Sequence, residues 1–498
     1  NAEVGDRAND AFRINGCELR CKVVGEGGNL GFTQKGRIEY AINGGRINSD
    51  AMDNSAGVDC YDHEVNIKIA LTQAMRAKKI TFEQRNKVLE SMTDEVSDLV
   101  LKDNNLQTQA ITIAQSQGLS ALAAQGQFLS KLEKIGLLNR KIEFLPSNKD
   151  ITKRYVEKTA MTRPELCVML AYAKMEIYSE LLSSKLLDDQ YFEEELCDYF
   201  PRLMQKKFAD EIKTHQLRRE IIATQITNFV VNHAGITFIN QIVQESGFKV
   251  SEVVKCLIIA VDSFGLRKVW QDIENLGSEV AHHVQSSMFL GANKLLERSV
   301  LWLLRNNQNG DLAKIVVKFK KIATELFDIL PQVMAKDSSS SYSKKYDFYS
   351  LNNISESLSA KVAAMDPIAS TFDIAEISEK SKFDLKTIAK IYFLIGTRFS
   401  LKWLRVTLGE MPFDAYWQRL AAKTLIEDFY IYQMKIAKQI VDENCDKPSC
   451  STNAVEEWIS QVGFLMERYD NFIAELKTSA SVDMSMFVVA LNRLKPLV

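Results

Sequence analysis

Residues 161–182 read MTRPELCVMLAYAKMEIYSELL, and this stretch decides the fold class. Thr162-Arg163-Pro164-Glu165 has the form of a capping box. In such a box a threonine oxygen accepts from a first-turn N–H, the glutamate reaches back to the cap, and proline is tolerated because first-turn N–H groups have no helical partner. Neither glycine nor a further proline follows before Leu182. Val168, Tyr172, Met175, Tyr178 and Leu182 fall at intervals of four, three, three and four, which predicts one buried helical stripe. A stripe of this kind is a packing face, not a cofactor box.

The helical texture extends in both directions. No proline occurs before Pro146, and good helix formers dominate Glu64 to Leu138. Thr81-Phe82-Glu83-Gln84 supplies a second capping box ahead of Val88, Leu89 and Met92. Further helices are expected around Thr214–Ala234, Ser251–Phe264, Val284–Leu304, Leu312–Leu330, Leu385–Leu408, Met411–Gln439 and Ala454–Thr478. Only Lys336–Lys345, with its serine run Ser338–Ser341, and Asn444–Thr452, with Pro448, read as loops. No fixed-period repeat is present, so an irregular α-helical domain is expected. The break before it is placed at Lys141–Asp150, where Pro146-Ser147-Asn148 interrupts the helices.

Composition narrows the class without naming a function. The chain has 498 residues, is 46% hydrophobic and 25% charged, and carries a net charge of −2. That is ordinary for a globular protein and gives no basic footprint for nucleic acid. The longest strongly apolar run, Cys256 to Val261, is far short of the roughly 20 residues that span a bilayer. Eight cysteines, the nearest pairs being Cys17/Cys21 and Cys445/Cys450, form neither a CxxC knuckle nor a dense disulfide framework. A reducing cytoplasm is the expected setting.

The front of the chain has a different texture. Ten of the 22 glycines lie in the first 66 residues, where they can admit a ligand close to the backbone. Lys22-Val23-Val24 and Ile47–Met52 alternate with Gly/Asn turns in the manner of strand ends in an α/β sheet. A first-turn dinucleotide loop is excluded, because Gly25-x-Gly27 is followed by Leu30 where GxGxxG needs its last glycine. Gly25-Glu26-Gly27-Gly28-Asn29 fits a later strand end, where ligands lie outside the carboxyl ends of strands, as well as it fits a structural turn. A ligand segment so near Asn1 leads us to expect that the chain starts inside a larger protein.

Asp59, Asp62, His63 and Glu64 form the densest titratable cluster. His63-Glu64 begins like a zincin helix, but Ile67 stands where HExxH needs its second histidine, so no metal site is expected from that motif. Asp59 and His63 at i, i+4 would need further ligands to hold an ion, and a capped, solvated helix start is the expected reading. His233 shares a face with Ile222, Ile226, Phe229 and Val230 and is expected to be a hydrogen-bonded core histidine. His282-His283 reads as a surface pair. Lys206, Lys207, His215, Arg218 and Arg219, balanced in part by Asp210, Glu211 and Glu220, read as a solvated or subunit-facing surface.

The segments KVVGEGGNLGFTQKGRIEYA, GGRINSDAMDNSAGVD and DHEVNIKI, with MTRPELCVMLAYAKMEIYSELL and YFPRLMQKKFADEIKTHQLRREIIATQITNFVVNHAGITF, resemble the large bacterial NAD-specific glutamate dehydrogenases. The likeness is specific over residues 1 to 265 and weaker beyond. It implies oxidative deamination of L-glutamate to 2-oxoglutarate and ammonia with NAD as cofactor. It implies a mainly α chain: an N-terminal remnant of a doubly wound α/β dinucleotide-binding domain with following helices (1–145), then a large α-helical domain (146–498) with subdomains dividing near 336–345. Gly27, Gly28 and Asn29 match the loop that approaches the nicotinamide end of NAD, and Asn54 matches the asparagine that meets the carboxamide. Tyr61 occupies the position of a small hydroxyl residue that meets the substrate carboxylate. Its bulk is a departure from the family, and the phenol is expected to pack against the neighbouring helix. The catalytic lysine and aspartate are expected upstream, so the chain alone is expected to be inactive, to contribute a wall of the NAD site, and to belong to a homo-oligomer. A non-enzymatic helical scaffold or regulatory module is the alternative, which an upstream dinucleotide fingerprint would exclude.

Overall fold

The computed structural model describes residues 7–27, 31–307, 310–379, 381–413, 416–444, 453–479 and 481–498. These residues are all-α. The one β pairing among them is an isolated parallel bridge between Val23 and Arg46. It is closed by the Val24 N–H to the Arg46 carbonyl (2.9 Å) and the Arg46 N–H to the Lys22 carbonyl (3.0 Å). Of the strand ends expected at Lys22–Val24 and Ile47–Met52, only the first takes part, through Val23, and its partner Arg46 precedes the second. Asp50–Asp53 winds into a helical turn instead, with the Met52 and Asp53 N–H groups donating to the Ser49 carbonyl.

The chain divides into two compact units, Asn1–Lys255 and Cys256–Val498. The first carries α1 (Gln34–Ile42), α2 (Asp50–Asp53), α3 (Ser55–Arg76), α4 (Phe82–Glu90), α5 (Thr93–Ser116), α6 (Leu119–Lys134), α7 (Asn148–Val156) and α8 (Arg163–Leu182). Short helices α9 (Glu193–Asp198), α10 (Arg202–Lys207) and α11 (Ala209–Lys213) lead to α12 (Arg218–Ala234) and α13 (Phe238–Ser246), and α14 (Val250–Ser263) contains the boundary. Both capping boxes form as the sequence predicts, at Thr81/Gln84 and Thr162/Glu165. The second is buried: Glu165 is 1% exposed. Its carboxylate accepts from the Thr162 N–H (2.8 Å) and from both terminal nitrogens of Arg154 on α7 (2.9 and 2.6 Å). One carboxylate therefore caps α8 and ties α7 to it.

The stripe of α8 is not the one expected. Met175 is exposed, and the buried row is Leu166, Leu170, Ala173, Ile177 and Leu181. Both rows satisfy the helical period, because α8 is apolar nearly all round. Its packing against α1, α5 and α12 selects the face. Burying a leucine such as Leu170 (0% exposed) stabilises by about 1.5–3 kcal/mol. On α3 the buried row is His63, Asn66, Ile67, Ala70, Leu71 and Ala74, directed at α5 and α11.

The second unit is built from α15 (Leu266–Glu274), α16 (His282–Arg305), α17 (Leu312–Val333), α18 (Lys336–Leu351), α19 (Glu356–Ile368), α20 (Thr371–Ser378), α21 (Leu385–Arg398), α22 (Leu401–Glu410), α23 (Tyr416–Glu443), α24 (Asn453–Gln461), α25 (Gly463–Thr478) and α26 (Met484–Leu494). Its core is aromatic: Trp302 stacks on Phe372 at 5.2 Å, and Phe319 and Phe264 meet the same ring edge-on. Beside it, the half-buried Arg298 donates to Asp373 Oδ2 (2.7 Å), which also accepts from the Tyr392 hydroxyl (2.7 Å). The Tyr430 ring lies between the guanidinium carbons of Arg298 and Arg405, at 3.6 and 3.8 Å from its centroid, an arrangement that the ring quadrupole favours.

Two expectations fail here. Lys336–Lys345 is not a loop: it opens α18, whose Tyr349 is buried and which packs closely on α19. Tertiary packing overrides the weak helix propensity of serine. The helix expected over Leu385–Leu408 is two helices, broken where Ser400 adopts φ 53°, a left-handed conformation that ends α21. The loop expected at Asn444–Thr452 lies outside the described residues after Asn444.

Candidate functional site

The glycine segment is held against the start of α3 by a chain of charged hydrogen bonds. Glu26 is 6% exposed. Its carboxylate accepts from Arg37 Nε (2.5 Å) and Nη2 (3.1 Å) on α1 and from the Phe32 N–H (3.2 Å). The Glu26 N–H donates to Asp53 Oδ2 (3.0 Å), and Arg37 also reaches Asp50 Oδ1 (3.1 Å). Asn48 donates to Asp53 Oδ1 (2.9 Å) and accepts from Arg163 Nε (2.9 Å) at the N-terminus of α8. A buried carboxylate–guanidinium pair satisfied on most sides fixes geometry more than it adds stability. Nearby, burial pushes the Cys167 thiol up to about 12, so it stays protonated and is no nucleophile.

Within this frame Gly27 is exposed, with nothing within 4 Å of the place a Cβ would occupy. Gly28 and Asn29 lie outside the described residues. Asn54 stands at the junction of α2 and α3, its N–H donating to the Asp50 carbonyl (2.8 Å) and its carbonyl accepting from Gly57 (3.2 Å). From α5, Asn104 locks this junction by donating to the Met52 carbonyl (3.1 Å) and the Ser55 hydroxyl (2.7 Å). The Asn54 side chain is exposed, and its amide has no hydrogen-bond partner among the described residues. It therefore offers a donor and an acceptor on a rigid base.

Tyr61 lies farther along α3, on the same outward face: Asn54, Val58, Tyr61 and Val65 follow one another at intervals of four, three and four. Val58, Tyr61 and Val65 are 73%, 71% and 50% exposed. The packing expected for the Tyr61 phenol does not occur, because the neighbouring helix α5 meets the opposite side of α3.

The acidic cluster is only in part the solvated helix start expected of it: Asp62 and Glu64 are exposed, whereas Asp59 is half-buried and His63 buried on the opposite side. His63 is 2% exposed and stacks on Tyr199 at 4.3 Å between ring centroids. The Tyr199 hydroxyl donates to Asp62 Oδ2 (2.9 Å) and accepts from Asn66 Nδ2 (2.9 Å). Burial, with repulsion from Asp103 and Asp62, pushes Asp59 up to about 7. Burial alone lowers His63 and brings Lys174 on α8 down to about 7 against the pull of Asp103 and Asp59. His215, expected at a solvated surface, is 4% exposed, with Nδ1 accepting from the Leu217 N–H and Nε2 facing the Asn66 carbonyl, both at 3.1 Å. Of the other histidines, His233 is a buried residue whose Nδ1 meets the Phe229 carbonyl at 2.9 Å, and His282 and His283 are exposed, as the sequence indicates. Asp103, Asn104, Lys174 and Tyr199 carry no local signal in the sequence because they reach α3 from distant parts of the chain, the first two from α5, Lys174 from α8 and Tyr199 from the turn after α9.

Comparison with known proteins agrees with the resemblance carried by these motifs. Residues 158–496 match the family model described as glutamate dehydrogenase, C-terminal, and residues 1–114 match bacterial NAD-glutamate dehydrogenase, catalytic domain. The NAD-specific glutamate dehydrogenase of Pseudomonas aeruginosa is 36% identical over 498 residues, 100% of this chain and 31% of that protein. Those of Halomonas elongata and Mycobacterium tuberculosis are 33% and 31% identical, each over 99% of this chain and 31% and 30% of their own lengths. The chain thus spans about a third of the length of the curated relatives it matches. Since one family model covers more than half of the sequence, the chain belongs to the glutamate dehydrogenase family, in the region described by its C-terminal model.

Proposed function

We propose that this chain is the C-terminal part of an NAD-dependent glutamate dehydrogenase, which converts L-glutamate and NAD to 2-oxoglutarate, ammonia and NADH in the cytoplasm. In this reading residues 1–145 are the remnant of the dinucleotide-binding domain with the helices that follow it, and they form one wall of the NAD site. The helices beyond form an oligomerisation or regulatory extension. The observation that carries the reading is Asn54: an exposed amide without a partner among the described residues, on a junction locked by Asn104 and the Glu26–Arg37–Asp50 network. An amide so held can both donate to and accept from a carboxamide, and it is pre-organised to do so. When bound, NAD supplies the hydride acceptor. The part of this chain is to orient it, with Asn54 at the carboxamide and the open backbone at Gly27 allowing close approach. Among the described residues no helix is long and apolar enough to cross a membrane.

The test is Asn54→Ala in the full-length enzyme. Loss of one net hydrogen bond, about 0.5–1.5 kcal/mol, should raise the Michaelis constant for NAD severalfold with the melting temperature unchanged. An unaltered NAD dependence would remove Asn54 from the site and leave the wall without its anchor.

A further inference from the structure

Behind the outward face of α3 lies a partly buried polar group that the proposed NAD wall does not use. Asp59 and His63 sit one turn apart, with Nε2 4.0 Å from Oδ1. Asp103 enters from α5, so that one ligand atom from each of the three residues lies within 4.8 Å of the others. His63 is 2% exposed, yet among the described residues neither ring nitrogen has a hydrogen-bond partner, and Asp59 Oδ2 is buried and equally unpartnered. Buried polar atoms are ordinarily satisfied, and each exception calls for a cause.

We propose that Asp59, His63 and Asp103 form a binding site for a transition-metal dication of the zinc or manganese class, held by one imidazole nitrogen and two carboxylate oxygens and tying α3 to α5. One nitrogen with two hard oxygens suits these ions. Bonds of about 2.0–2.2 Å to a tetrahedral ion place ligand atoms about 3.4 Å apart, so the three side chains must draw in by roughly an ångström. The cation cancels the repulsion that holds the carboxylates apart without it. The imidazole is already aimed: its ring is fixed by stacking on Tyr199, which Asp62 and Asn66 hold in turn.

Lys174 faces the same group from α8 and opposes the ion. Its Nζ donates to Gln107 Oε1 (3.0 Å) and makes no ion pair with Asp59 or Asp103, so it modulates the site electrostatically without occupying it. Removing this charge should therefore tighten binding. A surface patch remote from Lys174 that held the same metal adventitiously would not respond to this change.

The experiment is titration of the full chain with Zn2+ by calorimetry, and with Co2+ by its visible absorption, which reports ligand number and type. One ion per chain is expected. His63→Ala and the near-isosteric Asp103→Asn should each weaken binding at least about tenfold and alter the Co2+ spectrum. Lys174→Met should strengthen it severalfold. A double variant at the exposed pair, His282→Ala with His283→Ala, should bind as the parent does. Circular dichroism checks that each variant is folded. The proposal is overturned if no saturable binding appears at millimolar Zn2+, or if folded Asp103→Asn binds with the parent's affinity and spectrum.

Discussion

Asn54 Oδ1 stands 3.1 Å from the point that a Cβ on Gly57 would occupy, so the absence of a side chain in the first turn of α3 leaves the Asn54 amide its room. Gly57 is helical, and replacement by alanine there ordinarily gains about 0.5–1 kcal/mol in backbone entropy. Here the new methyl must push the amide aside. Gly57→Ala in the full-length enzyme should therefore keep or slightly raise the melting temperature while raising the Michaelis constant for NAD severalfold. A stabilised variant with parental NAD affinity would show that the amide's position is immaterial.

A second prediction concerns the clamp beneath that junction. Glu26 and Arg37 have side chains only 5% and 7% exposed, and truncating one partner of such a pair costs about 3–5 kcal/mol because the other charge is left buried. Glu26→Ala should lower the melting temperature sharply, and adding Arg37→Met should recover much of the loss. Coupling measured by this double-mutant cycle near zero would mean that Asp50 alone satisfies Arg37.

The caps and most helices were legible in the sequence because they rest on local chemistry: Thr81, Thr162 and their partners three residues on state the helix starts outright. The buried face of α8 was not, since Val168 and Leu166 begin two apolar rows of the same period and only the neighbouring helices choose between them. The polar group around His63 was half legible. Asp59 is one helical turn away in sequence, but Asp103 and Lys174 approach from α5 and α8, and no local pattern announces them. Tyr61 stood out as a departure, yet its exposure depended on which side of α3 meets α5, a tertiary fact.

His215 yields a prediction about pH. Burial lowers its pKa, partly opposed by the hydrogen bond to the Asn66 carbonyl, and Nδ1 is committed to accepting from Leu217, so the folded state favours neutral imidazole. The unfolded chain takes up the proton near the ordinary value of about 6.5. The contribution of His215 is thus complete above that pH and lost as pH falls below it toward the folded-state value. The melting-temperature gap between the parent and His215→Gln should narrow from pH 7.5 to pH 5. A constant gap would show that His215 is not titrating across the unfolding transition.

The last prediction turns on Tyr61. At 71% exposure its phenol contributes little packing, and surface substitutions of this kind stay within about 0.5 kcal/mol, so Tyr61→Ser should leave the melting temperature almost unchanged. Its place on the outward face of α3, in line with Asn54, is where a substrate carboxylate would be met if that face lines the active site. The phenolic O–H would then donate to a charged acceptor, a bond worth about 1.5–3 kcal/mol. Tyr61→Phe removes only that O–H. In the full-length enzyme it should raise the Michaelis constant for glutamate by about tenfold or more, with the constant for NAD and the melting temperature unmoved. Parental glutamate kinetics in Tyr61→Phe would assign carboxylate recognition to another residue and leave Tyr61 as bulk at the rim of the site.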